Sequence, residues 1–353
     1  MGFPNLNQPF VIGSIQTISG KVPQVSSHLF WADRVGSWKA RWGIGRMHYT
    51  VEPGLYALGN PDAKSPVLVT ASYKMSFDRL RAALPEKDAW ILVLDTKGIN
   101  VWCAAGKGTF GTMELTQRVA GSGLDRIVCH RELILPQLSA PGIAAHEVKK
   151  LSGFKVIYGP IKAEDLAEFL NNGMRATPEM RIKTFTALER MVLIPIELVS
   201  AIKVMVAAIF VLVFLSGVLG PGSFLNNALH YGLVAVPALA TAVMAGAVLA
   251  PLLLPWLPGR AFSIKGLPLG ILGALVLLSF HWSDFDGLGG GLQMIAWFLL
   301  IPSATTYLSM NFTGASTYTS LSGVKKEMRF ALPFQIGMGI LGLAFWFSSL
   351  LVG

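Results

Sequence analysis

Two cysteines in 353 residues, Cys103 and Cys129, are too few for a disulfide framework, an all-cysteine metal cage or an iron–sulfur cluster, which takes four thiolates. Charge is also scarce, at 14% of residues, where an ordinary soluble chain carries about 25%. The shortage is uneven: residues 1–190 hold 23 Lys+Arg and 16 Asp+Glu, whereas residues 191–353 hold 6 and 4. None of His28, His48, His130, His146, His230 and His281 has a partner at ligand spacing, so no zinc site is expected. Met1 to Pro23 lacks a basic leader with a long apolar stretch, and no cleavable signal peptide is expected there. The net charge of +9 is dispersed and comes with no recognition motif, which argues against a nucleic-acid partner. A domain lying beside anionic lipid accounts for the sign equally well. So few cysteines also fit a reducing compartment, which keeps Cys103 available as a thiol.

What the second half lacks in charge it has in long apolar runs, and the mean hydropathy of the whole chain is +0.53. Runs at about 194–218, 229–254, 267–282, 291–311 and 331–352 are long enough, at about 20 residues each, to cross a bilayer core. Five spans are therefore expected, the third being the shortest. Gly220-Pro221-Gly222, Pro255-Trp256-Leu257-Pro258-Gly259 and Gly287-Leu288-Gly289-Gly290-Gly291 punctuate them. Trp256, Trp282 and Trp297 lie near expected ends, as interfacial anchors would. Glu197 and Lys203 are costly inside a span; snorkelling accounts for Glu197. Arg260 and Lys265 follow span two, Lys325, Lys326 and Arg329 follow span four, and Asp284 and Asp286 follow span three. The positive-inside rule then puts the N-terminal domain and both basic loops in the cytoplasm and the C-terminus outside, a multi-pass protein of the cytoplasmic membrane.

The first half alternates strands and helices. Val67–Thr70, Trp90–Asp95, Ile127–His130 and Phe154–Tyr158 read as strands; Phe77–Leu84, Thr112–Ala120, Ala144–Leu151 and Ala163–Asn171 read as helices. That alternation predicts a Rossmann-like α/β domain with a parallel sheet covered on both faces. Thr112 is a plausible N-cap, and Pro178-Glu179 opens a helix toward the membrane part. The expected organisation is an N-terminal extension (1–45), an α/β domain (46–175), a linker helix (176–193) and an all-α transmembrane domain of five helices (194–353).

A free cysteine is most often a small buried hydrophobe, and Cys129, on an expected strand, is read that way; the alternative is a transient metal-handling thiol. Cys103 has a more specific frame. The strand Trp90-Ile91-Leu92-Val93-Leu94-Asp95 ends in a turn at Thr96-Lys97-Gly98, and the run Asn100-Val101-Trp102-Cys103-Ala104-Ala105-Gly106-Lys107 follows. Cys103 thus falls beyond the carboxyl end of a strand, where open α/β sheets bind ligands.

This octapeptide resembles the signature of the corrinoid proteins of microbial mercury methylation, membrane-bound partners of a two-cluster ferredoxin. The segments Pro53 to Pro61 and Pro66 to Asp78, and Gly159-Pro160 after Phe154 to Tyr158, are similar to the corrinoid-binding domain of the corrinoid iron–sulfur proteins of acetyl-CoA synthesis. Those proteins are soluble and have no cysteine at this place. The first resemblance runs from about residue 45 through the membrane part and implies a corrinoid (cobalamin-type) cofactor, with the Cys103 thiolate as lower axial ligand of cobalt. A thiolate is a soft, strongly donating ligand. Its push would favour release of the opposite methyl group with both electrons, to Hg(II) as acceptor, with a radical route open. Ala104, Ala105 and Gly106 are small enough for a helix to lie flat on a macrocycle. Asn100 can cap that helix, whose N-terminal end favours a thiolate. Trp102 is read as a packing anchor beside Val101; Lys107 either pairs with the cofactor or faces solvent. Thr70, Thr96, Gly98 and the loop with Gln137, Ala140 and Gly142 are further expected cofactor contacts. The resemblance further implies a ferredoxin with two [4Fe–4S] clusters as reductant, and a methyltransferase as methyl donor. Two other readings stay open: a methyl carrier of one-carbon metabolism, and a membrane corrinoid sensor or transporter.

Overall fold

Val67–Ala71 and Ala89–Leu94 are apolar at nearly every position and buried on both faces, which makes them central strands. In the computed structural model, which describes residues 3–282, 285–314, 316 and 321–352, they are β4 and β5 of a seven-stranded sheet. The others are β1 (Val11–Thr17), β2 (Gly20–Val25), β3 (Gly54–Leu58), β6 (Glu132–Leu135) and β7 (Lys155–Tyr158), in the order β1-β2-β3-β5-β4-β6-β7. The helices of this half are α1 (Trp31–Arg41), α2 (Lys74–Ala82), α3 (Val101–Lys107), α4 (Thr112–Ser122), α5 (Leu124–Ile127), α6 (Ala145–Ser152) and α7 (Leu166–Asn171). The chain divides into two compact units, Met1–Thr184 and Phe185–Gly353.

The sheet is mixed, not parallel throughout. β4 pairs in parallel with β5 and β6, and β6 with β7, but β3 runs antiparallel to β5, and β1 and β2 form a hairpin whose second strand joins β3. Alternation of strands and helices could not reveal this, because no helix separates β3 from β4. The residues expected as a strand at Ile127–His130 instead close α5 and turn; the strand is Glu132–Leu135. Gly123, at φ 59°, ends α4 and starts α5 at once, so Ile127 and Val128 reach the core from a helix end. Cys129 is consequently exposed, not a core residue. Thr112 is the first residue of α4 after the cap Gly111, and its Oγ1 accepts from the Ala144 backbone N–H at 2.9 Å. The stretch 176–193 holds a short turn at Glu179–Arg181 and then a helix, Ala187–Met191, opened by a capping box of Thr186 and Glu189.

Apolar side chains fill both faces of the sheet. Leu92, Leu94, Leu115, Leu133 and Phe154 pack on one side, and Ile91, Val93, Phe77 and Phe169 on the other. Each such fully buried side chain contributes about 1.5–3 kcal/mol.

Among its described residues the second unit has five helices long and apolar enough to cross a membrane: Ala187–Leu219, Phe224–Leu253, Phe262–Phe280, Gly287–Gly314 and Ser322–Val352. The third is the shortest, at 19 residues. Trp256 and Trp282 are exposed near helix ends, but Trp297 is fully buried among Ala274, Ile301 and Trp346, so it packs the bundle and is not an interfacial anchor. Arg190 donates to the Leu252 carbonyl at 3.1 Å, Lys265 to those of Leu254 and Leu257 at 2.8 and 2.7 Å, and Glu327 accepts from the Ser263 backbone at 2.7 Å. These contacts gather the start of the first helix, the end of the second and the starts of the third and fifth. Asp284 lies outside the described residues.

Candidate functional site

The carboxyl ends of β4 and β5 are adjacent and parallel, and the chain leaves both through polar residues. Ser72 and Thr96, each buried, share a hydrogen bond at 3.2 Å. The Ser72 hydroxyl also accepts from the backbone N–H groups of Thr96 and Gly98, at 3.1 and 3.3 Å. Thr96 Oγ1 donates to the Ile99 carbonyl at 2.7 Å. The turn passes through two successive left-handed residues, Lys97 at φ 56° and Gly98 at φ 70°. A Cβ on Gly98 would stand 2.7 Å from Thr50 Cγ2, so glycine is required here by both conformation and space.

This braced turn delivers Asn100, the N-cap of α3, whose Oδ1 accepts from the Cys103 backbone N–H at 2.9 Å. Gly108, at φ 80°, ends the helix. Cys103 is a free thiol, half-buried, with Val101 and Trp102 also half-buried and Gly106 and Lys107 exposed. Ala104 and Ala105 are buried in the core of the domain. They lie against the Gln137–Gly142 turn: a Cβ on Gly142 would meet Ala105 Cα at 3.0 Å and the Phe110 carbonyl oxygen at 2.2 Å. Small residues at 104, 105 and 142 therefore allow helix and turn to touch backbone to backbone. Gly106 faces open space.

Of the other residues singled out from sequence, Thr70 is buried within β4, and Gln137 accepts from the Arg181 guanidinium at 2.7 Å while Ala140 stays half-buried in the same turn. The structure thus brings Thr70, Thr96, Gly98, Asn100 to Lys107 and the 137–142 turn to the same end of the parallel strands. Sequence reasoning missed Ser72 and Glu114. Ser72 could have been found as the first polar residue past an all-apolar strand. Glu114, whose Oε1 accepts from the Asp95 backbone N–H at 2.9 Å and pairs with Arg118 at 2.6 Å, left no such signal. Burial pushes the Asp95 carboxyl up, but hydrogen bonds from Lys97 outweigh it and hold the group below its usual range.

A cavity of about 440 Å³ lies elsewhere, lined by Lys64, Lys87, Asp88, His130 and Glu132 among others. It sits at the amino ends of β4, β5 and β6 and includes none of the residues just described. The physics of open sheets favours the carboxyl end, where loops and helix starts converge. Among the described residues, no group of three His, Cys, Asp or Glu side chains could hold a metal ion.

Comparison with known proteins falls on this same stretch. The family model of the CO dehydrogenase/acetyl-CoA synthase delta subunit matches residues 45–170. The acetyl-CoA decarbonylase/synthase complex subunit gamma of Methanocaldococcus jannaschii is 32% identical over 146 residues, 40% of this chain and 29% of that protein. The corresponding subunit of Methanopyrus kandleri is 33% identical over 122 residues, 34% of this chain and 26% of its own length. That of Methanothermobacter thermautotrophicus is 28% identical over 128 residues, with 36% and 28% covered. The chain thus spans under a third of the curated relatives it matches, and the family match ends before the five apolar helices.

Proposed function

We propose that the first unit is a corrinoid-binding methyl-transfer domain, tethered to a membrane by the five apolar helices, with Cys103 the residue whose sulfur would hold the cobalt. The observation that carries the reading is a free, half-buried thiol, held by an Asn100-capped helix beyond the carboxyl ends of two parallel strands. The donor set fits. Cobalt in a corrinoid would accept a soft donor from the protein, and Cys103 offers a thiol at this end of the sheet. Gly106 leaves the adjoining helix surface without side-chain bulk. The matched subunits of the acetyl-CoA decarbonylase/synthase complex support the corrinoid half of the reading.

When bound, the corrinoid supplies a methyl group on cobalt. This chain's contribution is position and electronics. Asn100 fixes the start of α3, and the Ser72–Thr96–Gly98 bonds brace the turn before it. Ala104, Ala105 and Gly142 lock the helix to the neighbouring turn, so Cys103 Sγ cannot drift with the loop. Cys103 would hold the cofactor through its sulfur, whose donation would dispose the group to give up methyl as a nucleophile, and half-burial limits water at the thiol.

Two readings of the methyl transfer stand, and they differ in where the electron pair goes: to an electrophilic acceptor with the methyl group, or back to the cofactor when a nucleophilic acceptor takes the methyl group. The octapeptide around Cys103 supports inorganic Hg(II), giving methylmercury. The relatives support the other, a methyl carrier of one-carbon metabolism, and the comparisons back that reading better. The mercury reading requires an external reductant at every turnover, because the methyl group takes both electrons with it, and the carrier reading requires one only for reactivation; two cysteines cannot hold a cluster to supply it. A ferredoxin with two [4Fe–4S] clusters fills that role here, and a separate methyltransferase loads the methyl group.

The test is the absorption spectrum of the full chain loaded with cobalamin, followed by methyl transfer to Hg(II) and to a one-carbon acceptor. Cys103→Ala should change the spectrum and abolish transfer to mercury; Cys129→Ala should do neither. An unchanged spectrum in the Cys103 variant would overturn the axial-ligand assignment. Transfer to the one-carbon acceptor that survives loss of Cys103, with none to Hg(II) from the native chain, would select the carrier reading.

A further inference from the structure

The first unit carries a tryptophan face that the methyl-transfer reading does not use. At 100° per residue, Trp31, Val35, Trp38 and Trp42 fall within an arc of about 60° on α1 and its last turn. Trp31, Trp38 and Trp42 are 68%, 56% and 47% exposed, and Ile44 and Met47 extend the patch at 63% and 66%. Trp31 and Trp38 stack edge to face, with ring centroids 5.6 Å apart. Arg34 and Arg41 flank one side of this arc and Lys39 the other. Between His28 and Val51 the sole acidic residue is Asp33, on the opposite face of the helix and 8% exposed.

That opposite face is fastened. Asp33 accepts from Lys74 at 2.7 Å, from Arg81 at 2.8 Å and from the Phe30 backbone N–H at 3.0 Å, and its carbonyl accepts from the Tyr49 hydroxyl at 3.0 Å. Tyr49 packs where a Cβ on Gly36 would stand, 2.6 Å from its ring. The helix therefore presents its tryptophans from a rigid support, and the exposure is not that of a loose terminus.

We propose that this face of α1 docks on an anionic lipid surface. A patch of this size on a soluble domain marks an interaction site. Tryptophans flanked by cations, with no exposed acid between them, match the headgroup layer of a bilayer, where indole rings and Lys or Arg side chains each find their own environment. The five apolar helices of the same chain hold this unit within tether reach of a membrane, so the docking is intramolecular and modest affinity suffices. Met47 and Thr50 touch the Gly98 turn, so docking would hold the base of the Cys103 helix beside the bilayer surface.

The test uses the full chain in nanodiscs with one copy per disc. A spin label is placed at position 38 (Trp38→Cys) in a Cys103→Ala, Cys129→Ser background, with a control label at Lys21→Cys, at the far end of β2. In phosphatidylglycerol discs the label at 38 should collide more with oxygen than with a nickel chelate, and the control should do the reverse. Arg34→Gln or Lys39→Gln, both on the surface, should each lower the docked-to-free ratio about fivefold. A label at 38 as open to the nickel chelate in these discs as in detergent would overturn the proposal. So would docking equally strong on phosphatidylcholine, or protection that appears only with a second copy of the chain or an added ferredoxin.

Discussion

At Cys103 the local geometry rests on residues that could be read directly from the sequence and on others that could not. Asn100 was legible as a cap because its side chain acts three residues away, on the Cys103 N–H. Asn100→Ala should cost about 1 kcal/mol, measured by chemical denaturation of the full chain, while Asn100→Asp retains the acceptor and most of the stability. Ala104 and Ala105 were expected against a macrocycle because they are small. Their burial against the 137–142 turn was hidden, since the partner lies more than 30 residues on and nothing local announces it. Gly142→Ala tests that contact. The added Cβ meets the Phe110 carbonyl oxygen, a backbone atom that cannot rotate away, so a loss of about 1–3 kcal/mol is expected. Gly106→Ala, facing open space, should cost far less. Equal losses at the two positions would show that helix propensity, and not the close approach, sets the cost.

Among the elements, the central strands were legible because unbroken apolar runs have few other places to go, and β4, β5 and β7 fall within a residue or so of their expected bounds. The antiparallel β3 was not, because strand direction is a tertiary choice that periodicity does not encode. Nor was the network that ties α1 to α2. Lys74 and Arg81 bridge Asp33 and Asp78 at 2.6–2.8 Å, all four side chains are buried, and Arg81 also donates to the Ser26 and His28 carbonyls at 2.7 and 2.9 Å. Every charge has a partner, so removing one strands the rest. Asp78→Asn should destabilise the chain by about 3–5 kcal/mol. The same network sets an acid response. Burial raises the Asp33 pKa, but the hydrogen bonds and charge of Lys74 and Arg81 lower it more, and the net value is depressed. A depressed carboxyl contributes stability in full above its unfolded value of about 3.9 and loses it as pH falls through the lower folded value. Denaturation midpoints should therefore hold to about pH 4 and decline below it. Asp33→Asn should be less stable at neutral pH and show a shallower acid decline.

For the whole molecule, the five apolar helices were the most legible feature, because crossing a bilayer demands a length and a composition that a linear sequence displays openly. Which tryptophan packs the bundle was not legible: Trp297 and Trp282 both lie in or beside apolar helices, yet one is fully buried and the other 68% exposed. The bundle adds an argument about orientation that the sequence could only suggest. Arg190, Lys265 and Glu327 place their polar contacts where the first, third and fifth helices start and the second ends, so successive helices alternate in direction. Arg260 and the basic residues Lys325, Lys326 and Arg329 belong to this same end, while the turn at Gly220-Pro221-Gly222 has no positive charge. By the positive-inside rule, this end and the first unit are expected on the cytoplasmic side. Reporter fusions measure the assignment directly. A fusion beside Lys325 should report the cytoplasm and one after Gly353, itself outside the described residues, the opposite side. A fusion between the third and fourth helices should agree with the latter. If it reports the cytoplasm instead, the 19-residue third helix does not cross, and the helices that follow it would have to reverse their direction.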